Sequence, residues 1–275
     1  MEYTSQELMV AAAAREIHDG EIVFTGMRLP LIAFALAKNL HAPNAIGLFE
    51  CGLMRDTPSP ELLYTMGDPP NIAGALWATR MINVMGLLQQ GCVDLGFIGG
   101  AEVDRFGNLN TSYVLTPLPQ PPLPSPDELR SGEGRGGKGV RGEVIKLPGS
   151  GGAADIASLS KRLVIIMAHE KSRLVERVSY VTSSGYGEGG DWRKRVGLLR
   201  GGPSAVITTL GVLGFDSETG EAMLRSYHPG QSIESVRAET GWDLRVARDV
   251  RETMPPTELE LAIIRQYDPQ GFWTR

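Results

Sequence analysis

The stretch Ala45-Ile46-Gly47-Leu48-Phe49-Glu50-Cys51-Gly52-Leu53-Met54 ends an apolar run in a carboxylate, a thiol and a glycine. The run reads as a buried strand, and such strands ordinarily close in turn-formers. A glutamate between Phe49 and Cys51 should lose water on at least one side. A carboxylate deprived of water is the better nucleophile. Glu50 is therefore expected to do covalent chemistry. Cys51 is the competing nucleophile beside it, but no histidine stands near it in sequence to activate it, and a packed thiol is the simpler expectation.

A second candidate is Pro148-Gly149-Ser150-Gly151-Gly152-Ala153-Ala154-Asp155-Ile156-Ala157. A glycine-rich turn opening a helix presents unpaired backbone N–H groups to an anion or a developing oxyanion. No Gly-Lys-Ser/Thr follows, so this is not a Walker A loop; alone, the motif is equally a structural turn. Other constellations are absent. There is no Gly-x-Ser-x-Gly elbow. His18 and His41 fall near expected helix ends, and His228-Pro229-Gly230 reads as a turn.

Several elements must position these residues. Thr4 with Glu7 has capping-box spacing and starts a helix through the alanine-rich segment to Ile17, where Asp19-Gly20 stops it. Glu21 to Gly26 is a short strand. Leu29-Pro30-Leu31 opens a helix toward His41-Ala42-Pro43, and the Glu50 strand follows. Strand, tight turn, helix, strand is the pattern of a parallel sheet. Ligands of such sheets sit outside the carboxyl ends of the strands, which is where Gly26 and Glu50 both fall. Ala78 to Gln90 reads as helix and Asp94 to Ile98 as strand, followed by a Gly99-Gly100 loop and a turn at Arg105-Phe106-Gly107-Asn108. Arg162 to Met167 is a buried strand leading into His169-Glu170-Lys171. Val206–Leu210 and Val212–Phe215 suggest a hairpin-rich region. Ser232 and Thr257 start the last two helices. Leu115 to Lys146 breaks the pattern: six prolines between 117 and 126 precede a Gly/Arg/Lys/Glu-rich tract, expected as an insertion loop, lid or linker. Its Arg130, Arg135, Lys138 and Arg141 could reach a phosphate. With no repeat and no clear boundary, residues 1–275 are expected as a single domain carrying an insertion at about 117–146.

Composition narrows the function. The 275 residues are 42% apolar and 21% charged, an ordinary globular balance that needs neither metal nor disulfide for its core. A net charge of −5 offers no field for nucleic acid or anionic membrane. An anionic ligand would need a local cationic site. The two cysteines, Cys51 and Cys92, form no zinc pattern; as reduced, buried thiols they suit a cytoplasmic protein. Met1 to Ser5 lacks the basic start of a signal peptide, and no apolar run approaches the roughly 20 residues that span a bilayer.

Taken together the motifs resemble a family: the B subunits of family I CoA-transferases, those of the glutaconate type above all. The matching residues are Gly26 with Leu29-Pro30-Leu31-Ile32, Ala42-Pro43, Glu50-Cys51-Gly52-Leu53-Met54 and Phe97-Ile98-Gly99-Gly100-Ala101. Asp104, Gly107-Asn108, Asn110, Gly149 to Ala153, His169-Glu170-Lys171, Tyr180-Val181-Thr182, Thr240-Gly241 and Asp268-Pro269 continue the series. They run in order from about residue 4 to 270, interrupted by the 117–146 tract.

The resemblance implies an α/β fold, an open, mostly parallel sheet flanked by helices, and ping-pong transfer of coenzyme A between carboxylic acids. Glu50 matches the nucleophilic glutamate, carrying CoA as a glutamyl thioester. Gly151 and Gly152 match the glycine loop facing the thioester, for oxyanion donation or close CoA packing, and Gly26 matches a glycine near the acyl and CoA groups. Lys171 matches a basic residue, with a structural ion pair as the alternative. The resemblance implies no permanently bound cofactor and no metal; acyl-CoA is substrate. It also implies an A subunit, in a heterodimer or heterotetramer, that completes the site. Two departures bear on the substrate: Arg28 stands where the family often has a second glycine, and the 117–146 tract is longer than its counterpart. Relatives without the glutamate are decarboxylases or ring-opening hydrolases of CoA thioesters, so a hydrolase, a decarboxylase or a non-catalytic subunit are the alternatives.

Overall fold

The computed structural model describes residues 2–116, 143–198 and 200–275. Its first half contains α1 (Ser5–Ala14), β1 (Ile22–Phe24), α2 (Leu29–Leu40), β2 (Ile46–Phe49), β3 (Leu53–Arg55), α3 (Pro69–Ile72), β4 (Trp77–Ala78), α4 (Met81–Gln89) and β5 (Leu95–Ile98). Three short strands follow, β6 (Glu102–Asp104), β7 (Leu109–Asn110) and β8 (Tyr113–Thr116). Beyond residue 142 come β9 (Glu143–Lys146), α5 (Ala153–Leu159), β10 (Arg162–Met167), β11 (Leu174–Val175), α6 (Trp192–Arg195) and β12 (Pro203–Thr208). The chain closes with β13 (Gly211–Phe215), β14 (Ala222–Tyr227), α7 (Ile233–Ala238), β15 (Arg245–Glu252) and α8 (Glu258–Tyr267).

Ten strands form one sheet in the order β15-β14-β13-β12-β10-β5-β1-β2-β3-β4. The five from β12 to β2 are parallel, the arrangement expected from the strand–helix alternation. β3 and β4 extend one side as antiparallel strands, and β12–β13–β14 form antiparallel pairs on the other. Successive side chains of a strand point to opposite faces, and the core divides accordingly. Val23, Phe97, Val164 and Ile207 pack with α1, α2 and α8 on one face. Phe24, Leu48, Leu163 and Ile165 pack with α4, α5 and α7 on the other. Glu50, one residue beyond Phe49, therefore inherits the face of Leu48, the side that carries α4 and α5.

The local signals that start helices hold. Thr4, Ser232 and Thr257 each cap a helix with a reciprocal capping box, a device in which side chains satisfy N–H groups the helix leaves unpaired. α1 is clasped to α8 at both ends by Arg15–Glu260 and Glu7–Arg265. Helix α1 ends at Ala14 rather than continuing to Ile17, because Glu16 and Ile17 close it with tighter bonds to Ala13 and Ala14. The His41 ring then sits against the carbonyls of Ala14 and Ile17.

Two further expectations are corrected. Ala78 belongs to the edge strand β4, paired to Leu53 of β3, and helix begins only at Met81. The ends of the proline-rich segment are strands, β8 pairing with β9 antiparallel; the expected loop over 117–142, with its basic residues, lies outside the described residues. The turn expected at His228-Pro229-Gly230 is present, the Gln231 N–H donating to the His228 carbonyl at 2.9 Å, and the His228 ring is buried, its Nε2–H donating to the Thr208 carbonyl at 2.7 Å. Among the described residues no helix is long and apolar enough to cross a membrane.

Candidate active site

The register of β1 against β2 sets Ile22 opposite Ile46 and Phe24 opposite Leu48. Thr25 continues the pairing through its N–H, which donates to the Leu48 carbonyl at 2.9 Å. Gly26 and Glu50 each lie just past the carboxyl end of their strand, and those two strands are neighbours in the sheet.

Immediately after Glu50 the chain turns back into β3. Gly52 donates to the Phe49 carbonyl at 3.0 Å and adopts φ 105°, a left-handed conformation open to glycine. A Cβ there would lie 2.2 Å from the Thr79 carbonyl oxygen. This turn sends the two candidate side chains apart. Glu50 is half-buried and directed inward, whereas Cys51 is exposed and Cys92 half-buried, so the expectation of two buried thiols is overturned. The Cys51 Sγ–H donates to the Met66 carbonyl at 3.2 Å, and partial desolvation in the turn pushes its thiol above the ordinary value.

The glycine loop, far from Glu50 in sequence, is brought onto it by the fold. The Gly152 N–H donates to Glu50 Oε1 at 3.0 Å. Gly151 is left-handed (φ 49°), and a Cβ on it would stand 3.5 Å from the same oxygen. A Cβ on Gly152 would stand 3.2 Å from Glu50 Cδ and 2.7 Å from Met85 Cε. The carboxylate is thus held by one oxygen between the loop and Met85. Met85 carries no sequence signal for this place; only its position on α4, facing α5, reveals it.

Gly26 opens instead onto a cavity of about 720 Å3 over the ends of β1, β5 and β10. Gly99, Gly100, Arg28, Arg173 and Thr209 also line it. Glu50 does not line this cavity; Gly26 is its link to the Glu50 edge. Lys171 lies beyond the end of β10 and is exposed. Among the described residues it forms no ion pair, and it neither bonds Glu50 nor lines the cavity. The structure therefore brings Gly151 and Gly152 onto Glu50, places Gly26 at the end of the neighbouring strand, and leaves Lys171 apart. His169, also past β10, is committed to packing. Its ring nitrogens lie 2.9 Å from Thr208 Oγ1 and 3.0 Å from Thr240 Oγ1, and burial lowers its pKa to about 4.

Chemically, the arrangement offers a carboxylate with one oxygen fixed by a backbone donor, at the ligand-binding edge of a parallel sheet and one strand away from a large cavity. The sequence matches the coenzyme A transferase family over residues 6–239. It is 35% identical over 264 residues to the B subunit of 3-oxoadipate CoA-transferase from Pseudomonas knackmussii, covering 96% of this chain and 92% of that one. It is 33% identical over 273 residues to the B subunit of glutaconate CoA-transferase from Acidaminococcus fermentans, covering 97% and 93%. The solved structure of glutaconate coenzyme A-transferase from Acidaminococcus fermentans superposes with a TM-score of 0.84 at 30% identity, covering all of this chain and 98% of that one. The chain belongs to the coenzyme A transferase family.

Proposed function

We propose that this chain is the B subunit of a CoA-transferase that moves coenzyme A between carboxylic acids by a ping-pong mechanism through Glu50. The observation that carries the reading is the Gly152 N–H to Glu50 Oε1 hydrogen bond at 3.0 Å. With Oε1 held, Oε2 attacks the thioester carbonyl of the donor acyl-CoA. The C–S bond breaks, and CoA leaves as its thiolate from a glutamyl–acyl anhydride. The thiolate then attacks Glu50 Cδ, releasing the donor as its carboxylate and leaving a glutamyl-CoA thioester. The acceptor carboxylate attacks Cδ in turn, breaking the C–S bond and expelling the CoA thiolate from an acceptor–glutamyl anhydride; the thiolate then attacks the acceptor's acyl carbon, and Glu50 leaves as its carboxylate. Each attack on Cδ puts negative charge on an oxygen of Glu50. A backbone donor about 2.7–3.1 Å from that oxygen stabilises such charge without reorganisation.

The relatives named above act on 3-oxoadipate and glutaconate, both dicarboxylic acids, and the acyl group proposed here is of that or a related type. Gly26 borders the acyl and CoA path, Gly151 allows the thioester to approach closely, and Lys171, the first lysine or arginine past the end of β10, is the basic residue on the acyl or CoA side. Coenzyme A is substrate rather than resident cofactor. An A subunit, in a heterodimer or heterotetramer, completes the site. Because the substrates are CoA thioesters, the proposed compartment is the cytoplasm.

The test uses the complex with its A subunit. Incubation with acyl-CoA followed by borohydride or hydroxylamine should modify Glu50, and Glu50→Ala should abolish both the modification and the transfer. Full-rate consumption of acyl-CoA by Glu50→Ala would end the proposal. CoA release without an acceptor would make the enzyme a hydrolase, and CO2 release a decarboxylase.

A further inference from the structure

The cavity beside Gly26 has one wall built under strain. Arg28, the N-cap residue of α2, has φ 66° and ψ −120°, and no other non-glycine residue among those described has positive φ. A residue with a Cβ in such a region costs of order 1–3 kcal/mol and persists only where its surroundings over-determine it. Part of that constraint comes from the first turn of α2, where the Leu31 N–H donates to the Arg28 carbonyl at 3.0 Å. The Arg28 side chain is placed by the far end of the chain. The Asp268 carboxylate accepts from the N–H groups of Phe272, Trp273 and Thr274 at 2.7, 2.8 and 3.0 Å. The Trp273 indole N–H donates to the Leu63 carbonyl at 3.1 Å. Trp273 is thereby fixed, and the Arg28 guanidinium lies 5.2 Å from its ring centroid.

A guanidinium on an aromatic face keeps its in-plane N–H donors for a carboxylate, which it binds in a two-pronged geometry. Among the described residues, nothing accepts a hydrogen bond from the Arg28 side chain. Arg275 and Arg173, the latter paired with Glu170 at 3.2 Å, line the same cavity. No Asp or Glu side chain among the described residues lines it, and Met9, Phe97 and Ile166 supply apolar surface. In a chain of net charge −5, the cavity lining carries the side chains of Arg28 and Arg275 on an apolar floor, with Arg173 already held by Glu170.

We infer that this cavity takes the second carboxylate of a dicarboxylic acyl group, and that Arg28 is the residue that selects for it. The inference rests on the transferase reading only in supposing that the acid arrives as its CoA thioester. Trp273 positions the guanidinium, and the apolar floor accepts the methylenes between the two acid functions. The strained backbone at Arg28 holds the charge at the carboxyl edge, two residues from Gly26 and past the end of the strand that neighbours the Glu50 strand.

The test compares glutaryl-CoA with valeryl-CoA, and free glutarate with valerate, on the assembled complex and its Arg28→Gly variant. Glycine suits the positive φ at this position, so the variant should fold at least as well. The ratio of kcat/KM for glutaryl-CoA over valeryl-CoA should fall by about 30-fold or more, as for a site built to pair a charged group. Calorimetry should show the same loss of preference for glutarate, and Arg28→Lys should restore part of it. An unchanged ratio would overturn the inference. So would an equal loss for both thioesters accompanied by weaker binding of CoA itself, which would assign Arg28 to the CoA phosphates. A wild-type complex that binds glutarate selectively yet transfers no CoA would defeat the transferase reading alone; one that transfers CoA with no dependence on Arg28 would defeat this inference alone.

Discussion

The backbone N–H of Gly152 stands 3.0 Å from Oε1 of Glu50. Position 152 has an ordinary φ of −80°, so backbone strain does not dictate glycine there; space does. An added Cβ would press Glu50 Cδ at 3.2 Å and Met85 Cε at 2.7 Å. The methionine end can swing away, but the carboxylate is tied to the same residue's N–H. Gly152→Ala should therefore lower kcat by roughly 100-fold, the scale expected when a reacting group is misplaced by about an ångström. KM should change far less. Steady-state kinetics on the complex decide it, and an undiminished kcat would mean that the hydrogen bond does not position the carboxylate.

Gly52 controls the same carboxylate from the other side. Its φ of 105°, and the 2.2 Å approach of a Cβ to the rigid Thr79 carbonyl, leave no room for a side chain. Gly52→Ala must open the β2–β3 turn or push β4 outward. A loss of about 2–4 kcal/mol of stability is expected from strain and broken edge pairing, read from urea denaturation midpoints, together with loss of transfer activity. Wild-type stability in this variant would show that the turn is softer than its geometry implies.

Much of this site was legible because its causes are local. An apolar run ending in Glu50, and a strand–turn–helix–strand spacing that put Gly26 and Glu50 on one edge, required only the chain on either side of them. Thr4, Ser232 and Thr257 could be read as caps for the same reason. The failures were non-local. Cys51 points outward because Gly52 turns left-handed against Thr79, a residue beyond the whole of β3 and α3. Ala78 is strand because β3 presents it an edge, although its own neighbourhood favours helix. The Trp273 platform under Arg28 joins the two ends of the chain, and no periodicity reveals it. Likewise, only the fold shows that Gly152 meets Glu50 through its backbone.

Cys51 offers a direct check on which side chain carries the chemistry. Its thiol is exposed, is pushed above its ordinary pKa, and faces the Met66 carbonyl rather than the glycine loop. A thiol with a raised pKa is mostly protonated near neutrality and a poor nucleophile. Cys51→Ala should keep CoA transfer within about threefold, the span expected of a surface change away from reacting atoms. The hydroxylamine-sensitive adduct should still map to Glu50. Loss of the adduct with Cys51→Ala would move the covalent step to sulfur.

The two buried histidines predict how the fold responds to acid. His169 contacts Thr208 Oγ1 and Thr240 Oγ1, while His228 donates to the Thr208 carbonyl and contacts Thr253 Oγ1. Burial lowers both pKa values, that of His169 from 6.5 to about 4. The unfolded chain therefore binds protons first as pH drops. Stability is fully present above pH 6.5 and declines as pH falls toward 4, where the folded protein finally takes up the proton. At about 1.36 kcal/mol for each pKa unit, His169 alone accounts for a loss of up to about 3 kcal/mol across that window. Much of it falls between pH 6.5 and 5, above the range in which ordinary carboxylates titrate. Asp104, whose pKa burial raises, acts there in the opposite sense, so the histidine share is read by comparing urea midpoints of wild type and His169→Gln at half-unit steps. His169→Gln should flatten the decline in that interval while lowering stability at pH 7.5. Parallel profiles for the two proteins from pH 6.5 to 5 would show that His169 charges as easily in the folded protein as in the unfolded chain.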